Sequence, residues 1–177
     1  MLARLGLFAI AASTACVYSL DHQPPDATDL NARLCEVSEN VQSCLDAAQH
    51  SDFTYVQAQI LVPKCAIQGS CHDGGTGYPA GRLNFTTLAD AYTSLVNAPS
   101  KLDTTRILVV PGDPAKSFLT VMIGQIKPSE ADPPLAAIPI GTDGKFVGTM
   151  PQDSATVLCC QKLDAIARWI GSGAPME

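Results

Sequence analysis

Apolar residues recur at helical spacing along several stretches of the chain, and polar or helix-breaking residues separate these stretches. In the first stretch the apolar positions are Phe53, Val56 and Ile60. Their spacing predicts a helix with Ser51 or Asp52 as its N-cap. Pro63 forbids simple continuation of this helix, because proline lacks a backbone N–H and its ring clashes with the preceding turn.

The same spacing predicts two helices in the middle of the chain. The second helix, about two turns long, has the apolar positions Leu88, Tyr92 and Leu95. Asp113-Pro114 is typical of an N-cap followed by the first helical residue, and Gly124 would stop the helix that they begin. The apolar positions of this third helix are Phe118, Val121 and Met122.

A final helix is predicted to start near Ser154 and to end with Gly171 at its C′ position. Its apolar face carries Leu163, Ile166, Ala167 and Ile170, with Trp169 beside them. Residues 125–150 are rich in Pro and Gly, and so long a loop is usually functional. Within this loop Asp143-Gly144 predicts a small hairpin. The pattern therefore predicts a mainly α-helical protein with short helices and long connections.

The N-terminus has the order of a secretory signal. Arg4 supplies a positive charge, residues 5–12 form an apolar run, and the small residues 13–15 follow. The run is too short to span a bilayer, which takes about 20 apolar residues. Residues 13–16, Ser-Thr-Ala-Cys, resemble a bacterial lipobox, in which Cys16 is acylated, although Ser13 stands where Leu is usual. Cleavage without lipidation is the alternative.

These features divide the chain and indicate where it works. We expect a signal peptide at 1–15, a polar tether with a short helical segment around residues 34–48 at 16–50, and the main domain at 51–177. The protein would be exported to the periplasm or cell surface as an outer-membrane lipoprotein, attached to the membrane only by its lipid. The net charge of −6, without any Lys/Arg cluster, excludes a nucleic-acid partner.

Cysteine usage agrees with an oxidising compartment. The chain has seven cysteines, so six remain to pair if Cys16 carries lipid. Neighbouring cysteines rarely bond to each other because the ring that they would close is strained. Cys159 and Cys160 are therefore predicted to bond to Cys35 and Cys44. A Cys35–Cys44 bridge together with a vicinal pair is the alternative.

Cys65, Cys71 and His72 form the most informative motif. Two cysteines followed at once by a histidine are typical of c-type haem attachment, usually with two residues between the cysteines, whereas five lie between Cys65 and Cys71. A continuous helix would rise about 9 Å over this spacing, against about 4.5 Å for the usual one, so the extra residues must loop out. Gly69-Ser70 permits this. A Cys65–Cys71 disulfide would close the same loop equally well, and a zinc site lacks a good fourth ligand.

Further motifs accompany this one in a constant order. They are the runs 55–65, 81–85, 91–92, 95–97, 110–114, 117–119, 148–151 and 166–175, including Val-Pro-Gly-Asp-Pro, Gly-Thr-Met-Pro and Ala-Arg-Trp-Ile-Gly-Ser-Gly-Ala-Pro. With them, residues 51–177 resemble a bacterial c-type cytochrome domain family. Members of that family with widened cysteine spacing occur in predicted surface lipoproteins. The resemblance implies a cytochrome c-like small helical domain with long loops around one haem.

The resemblance also implies roles for particular residues. Cys65 and Cys71 would carry one covalent haem c, with His72 as the proximal and Met150 as the distal iron ligand. This axial pair suits electron transfer to a redox partner protein rather than oxygen chemistry. Met150 as a core methionine remains an alternative. Met122 is the other ligand candidate, although its helical spacing favours packing.

No nucleophile–base motif, phosphate loop or second Cys-His pair indicates an enzyme. A monohaem electron carrier is thus the leading hypothesis. A haem-less binding or interaction module held by disulfides is the alternative.

The lipobox yields the first testable prediction. Mass spectrometry of the native N-terminus should show an acylated Cys16, because the several acyl chains of a lipoprotein hold a membrane firmly where one alone binds only marginally. A soluble chain that starts at another residue would contradict the anchor.

Overall fold

Short helices joined by long connections make up the described part of the chain. The structure, a computed structural model, describes residues 35, 37–67, 72–74, 83–136, 150–151 and 158–177. Its elements are α1 (Gln42–Ala47), α2 (Phe53–Tyr55), a π-helix (Val56–Leu61), α3 (Val62–Cys65), α4 (Leu88–Leu95), α5 (Phe118–Met122), a 3-10 turn (Pro128–Glu130) and α6 (Cys160–Gly171). Within these ranges β pairing is limited to isolated bridges. The predicted mainly α class is confirmed for them.

Several predicted features lie outside the described residues. These are the signal segment 1–15, Cys16, Cys71, the Asp143-Gly144 hairpin and Ser154. The helical segment expected around residues 34–48 is present as α1, which is shorter and begins at Gln42. No helix among the described residues is long and apolar enough to span a membrane.

Residues 53–65 form one continuous helical segment, but its winding changes before Pro63, which agrees with the expectation that a simple continuation is forbidden. The middle of the segment is wound as a π-helix, in which the Val62 N–H donates to the Gln57 carbonyl, five residues earlier. This winding shifts the carbonyls that a proline ring would meet in an α-helix. Pro63 is therefore accommodated near the start of α3.

Side-chain oxygens cap both α2 and α4, and Asp52 is one of the two N-cap residues predicted for the first helix. Asp52 caps α2, since its carboxylate accepts a hydrogen bond from the Tyr55 N–H at 2.7 Å. The Thr87 hydroxyl accepts from the Asp90 N–H at 3.2 Å and begins α4. Side-chain oxygens at this position satisfy N–H groups that have no partner inside the helix.

The third predicted helix begins later than expected. The Asp113 carboxylate accepts from the Lys116 N–H at 3.1 Å, which closes a turn rather than starting a helix. α5 then begins at Phe118, after Ser117. It is followed by Gly124, which has a positive φ of 72°. The predicted stop is thus confirmed and the predicted start was wrong.

The final helix also differs at both ends. It begins at Cys160, with Cys159 in the N-cap position, rather than near Ser154. Its left-handed terminating residue is Gly173, at φ 99°, and not Gly171, which is the last helical residue. The N–H groups of Gly173 and Ala174 donate to the carbonyls of Ile170 and Trp169, both at 3.0 Å. These two bonds are the Schellman pattern, so the helix end satisfies its own carbonyls.

The core forms where α6 packs against the segment 53–65. Trp169, predicted to lie beside the apolar face, is fully buried within it, and Ala167 is half-buried at its edge. The Trp169 ring stacks on Phe53 with 4.5 Å between centroids, and Tyr92 of α4 meets Phe53 edge-on at 5.6 Å. The Trp169 indole N–H donates to the Pro175 carbonyl at 2.8 Å, so its burial leaves no polar group unsatisfied.

Two disulfides join the N-terminal part of the described chain to the start of α6. The bonded pairs are Cys35–Cys160 and Cys44–Cys159, which confirms the predicted cross-pairing. The Arg168 guanidinium adds to this attachment, because it donates to the carbonyls of Ala47 and His50, both at 2.8 Å. These carbonyls lie at and just beyond the end of α1, where helical carbonyls lack internal partners.

The double bridge yields a prediction about stability. Cys44→Ala with Cys159→Ala should lower the free energy of unfolding by about 3 kcal/mol, and removal of both bridges by roughly 8 kcal/mol, in the chain-entropy model. A single bridge closes a loop with a sequence separation of 115 or 125. Once one bridge is present, the second closes only a small ring. The loss of the first bridge removed should therefore be smaller than the loss of the last one. Urea titration of the oxidised variants measures both losses of stability. If removing both bridges cost only twice as much as removing one, the two bridges would act independently, which would contradict the small ring between them.

Candidate functional site

The structure brings Cys65 and His72 together. α3 ends at Cys65, because Ala66 leaves the helical conformation with φ −93° and ψ 46°. The His72 N–H donates to the Cys65 carbonyl at 2.8 Å. The chain between these two residues therefore begins and ends at one place. A continuous helix therefore does not run from Cys65 to His72. This agrees with the sequence analysis, in which such a helix would rise too far between the two cysteines.

His72 is held by its backbone and by one aromatic neighbour. Its carbonyl accepts from the Phe85 N–H at 2.8 Å, and its ring lies 5.0 Å from the Phe85 ring, tilted by 44°. The Nδ1 atom of the His72 ring is buried. Phe85 is itself buried, and its carbonyl accepts from the side chain of Gln57 in the π-helix at 2.9 Å. Gln57 thus ties the connection that carries Phe85 to the helical segment that carries Cys65.

An isolated antiparallel bridge between Asp73 and Asn84 extends this arrangement. The Asn84 amide donates to the Asp90 carboxylate at 3.1 Å, so the bridge is connected to the first turn of α4. Gly74 follows with a positive φ of 77°, and a Cβ atom there would lie 2.8 Å from Cγ of Asn84. Both the backbone conformation and the close approach of Asn84 favour glycine at this position.

Met150 is held by a different element. Its N–H donates to the carbonyl of Met122, the last residue of α5, at 2.7 Å. Met150 is half-buried and packs against the core, whereas Met122 is buried within it. The prediction that Met122 packs in the core is confirmed.

Two lysines influence each other electrostatically in this part of the structure. Lys64 precedes Cys65 in α3, and Lys162 is buried in the first turn of α6. Burial lowers the pKa of Lys162, and the positive charge of Lys64 lowers it further. Desolvation and a like charge both disfavour the protonated form of an amine.

Sequence reasoning missed Gln57 and Lys162 as parts of this region. Each occupies a position in an apolar stripe, since Gln57 follows Phe53 by four residues and Lys162 precedes Ile166 by four. Both are buried. A polar residue at a core position of an amphipathic helix is the signal that could have identified them.

Cys65, His72 and Met150 are residues of the types that a haem c site uses. Cys65 and Met150 are both half-buried against the apolar core, and His72 is half-buried against Phe85. Imidazole and thioether are the axial ligands that a cytochrome c uses. Among the described residues there is no group of three or more His, Cys, Asp and Glu side chains of the kind that binds a metal ion directly.

Comparison of the chain with protein-family models, with curated proteins and with solved structures found no match.

The close approach at Gly74 yields a prediction. Gly112 has a similar φ of 82° but open space around its missing Cβ, so it is a matched control. Gly112→Ala should cost about 1 kcal/mol of stability from backbone strain alone. Gly74→Ala should cost at least about 1 kcal/mol more, because Asn84 must also move. Chemical denaturation of both variants measures the difference, and equal losses would mean that Asn84 shifts without cost.

Proposed function

We propose that this protein is a monohaem c-type cytochrome that carries electrons at the cell envelope. The observation that carries the proposal is the hydrogen bond from the His72 N–H to the Cys65 carbonyl, at 2.8 Å. This bond brings the histidine next to the first cysteine despite the widened spacing, as attachment to one rigid ring requires. Half-burial of Cys65 and His72 supplies the partly apolar surroundings that such a ring needs.

Each residue of the site has a distinct task in this proposal. Cys65 and Cys71 would hold the haem by thioethers, with His72 and Met150 as its axial ligands. The haem would supply the one-electron chemistry when bound. The chain fixes the imidazole of His72 through its two backbone hydrogen bonds and the Phe85 ring. Such fixation would hold the imidazole in place as a ligand of a bound haem.

Met150 is suited to the distal position by its local constraints. Pro151 fixes its own φ and restricts Met150 to extended conformations, which limits where the thioether points. The hydrogen bond to the Met122 carbonyl, at 2.7 Å, anchors the same residue to the end of α5. A thioether held in this way would raise the reduction potential of a bound haem by favouring Fe(II). With both axial positions filled, electron transfer rather than oxygen chemistry is expected.

A haem-less binding module is the second candidate, and one observation favours it. The stacked Trp169 and Phe53 rings and the two disulfides already hold the helices together. The core therefore has a source of stability that needs no cofactor. In this alternative Cys65 and Cys71 would form a third disulfide.

Haem attachment is tested directly by absorption. Protein produced in a host with a c-type maturation system should show a haem spectrum, and the haem should stay with the chain under denaturing conditions. Replacing both Cys65 and Cys71 by Ala should release the haem on denaturation, because no thioether remains. A colourless wild type with a Cys65–Cys71 disulfide in its peptide map would refute the electron carrier and favour the binding module.

Met150→Ala separates an iron ligand from a packing residue. If the thioether binds iron, its loss should lower the reduction potential and allow imidazole or carbon monoxide to bind. Met122→Ala is the matched control, because a buried core methionine should cost about 2–5 kcal/mol of stability without any change in ligand binding. Spectroscopic titration and thermal melting measure the two effects. If Met150→Ala behaves as Met122→Ala does, another group is the distal ligand.

A further inference from the structure

Gln57 is a polar side chain at a core position of the segment 53–65. It follows Phe53 by four residues, and only 8% of its surface is exposed. Its side-chain N–H donates to the Phe85 carbonyl at 2.9 Å, and this hydrogen bond is buried. An aliphatic side chain would fill the same position without any polar group to satisfy. Packing alone therefore does not account for a glutamine here.

The hydrogen bond of Gln57 belongs to a closed series of contacts around His72. The Phe85 N–H donates to the His72 carbonyl, and the His72 N–H donates to the Cys65 carbonyl, both at 2.8 Å. Gln57 and Cys65 lie on the same helical segment. His72 and Phe85 are thus held between two points of that segment, with 5.0 Å between their rings. A shift of Phe85 would displace both the backbone partner and the ring neighbour of His72.

The connection that carries Phe85 is also held from α4, by more accessible contacts. The Asn84 N–H donates to the Ser94 hydroxyl at 3.2 Å in a partly buried position, and the Asn84 amide donates to Asp90 at the surface. Water competes for such contacts. The bond from Gln57 is buried, so its loss would leave the Phe85 carbonyl without an acceptable substitute from solvent. Gln57 is therefore the stronger of the two attachments.

We infer that Gln57 is a positioning residue for the imidazole of His72. It acts through Phe85, whose backbone and ring set where the imidazole lies and how its plane is turned. The inference rests on the proposed function, in which His72 is an axial ligand of the haem. Residues beyond the ligands themselves orient a metal-bound histidine and tune the metal.

The first measurement is amide hydrogen exchange on the purified full chain, with or without haem. Gln57→Met keeps the side chain long and apolar but removes its N–H donor. Exchange at the Phe85 and His72 amides should become about tenfold faster relative to the amides of α6, because a buried hydrogen bond that holds their connection is lost. Tyr92→Phe is the matched control, since it also removes one side-chain hydrogen bond to a backbone carbonyl, that of Ala174 at 3.1 Å.

The second measurement uses the haem protein. Gln57→Met should broaden the low-spin ferric signal in electron paramagnetic resonance, because the imidazole plane takes a wider range of orientations. Tyr92→Phe should lower the melting temperature without broadening this signal. Faster exchange in Gln57→Met without any broadening would make Gln57 a stability contact only and overturn the inference. An equal or larger effect of Ser94→Ala on both measurements would assign the positioning to α4 and overturn it as well.

The outcomes separate this inference from the proposed function. A colourless wild type would refute the cytochrome, and the exchange rates would still show whether Gln57 fixes the place of His72. A haem protein in which Gln57→Met matches Tyr92→Phe in both measurements would overturn the role of Gln57 and leave the cytochrome standing.

Discussion

The stacking of Trp169 on Phe53, with 4.5 Å between ring centroids, is the contact on which the rest of the structure depends. Large aromatic side chains contribute most of the apolar area that a small core can bury. The stack joins α6 to the segment 53–65, and Tyr92 adds α4 from the side. The C-terminal residues then close over the core, since the Tyr92 hydroxyl and the Trp169 indole donate to the carbonyls of Ala174 and Pro175.

Sequence patterns predicted the features that are set locally and missed those that are set by neighbours. The spacing of Leu88, Tyr92 and Leu95 identified α4 because the apolar face that this helix packs on the core is visible in its own sequence. The sequence indicated that Pro63 bars a simple continuation, but whether the helix ends there or changes its winding depends on the preceding turns, which the sequence does not state. Asp113-Pro114 was taken for a helix start, although an Asp-capped turn uses the same residues.

The candidate site was predictable as a set of residue types but not as an arrangement. The order of Cys65, Cys71 and His72 indicated the chemistry, and the rise of a helix indicated that the intervening residues must loop out. The partner of His72, Phe85, and its link to Gln57 depend on contacts between distant parts of the chain. The hydrophobic periodicity of a sequence indicates which face of a helix is buried. It does not indicate which buried polar groups form hydrogen bonds with each other.

The aromatic stack and the disulfides hold α6 at different places along its length. Phe53 meets Trp169 near the C-terminal end of α6. Both disulfides attach at its start, at Cys159 and Cys160. The Arg168 guanidinium, which precedes Trp169 in the chain, donates to carbonyls at and just beyond the end of α1. The bridges therefore fix the end of α6 that lies away from the aromatic contact, so neither end of this helix depends on the stack alone.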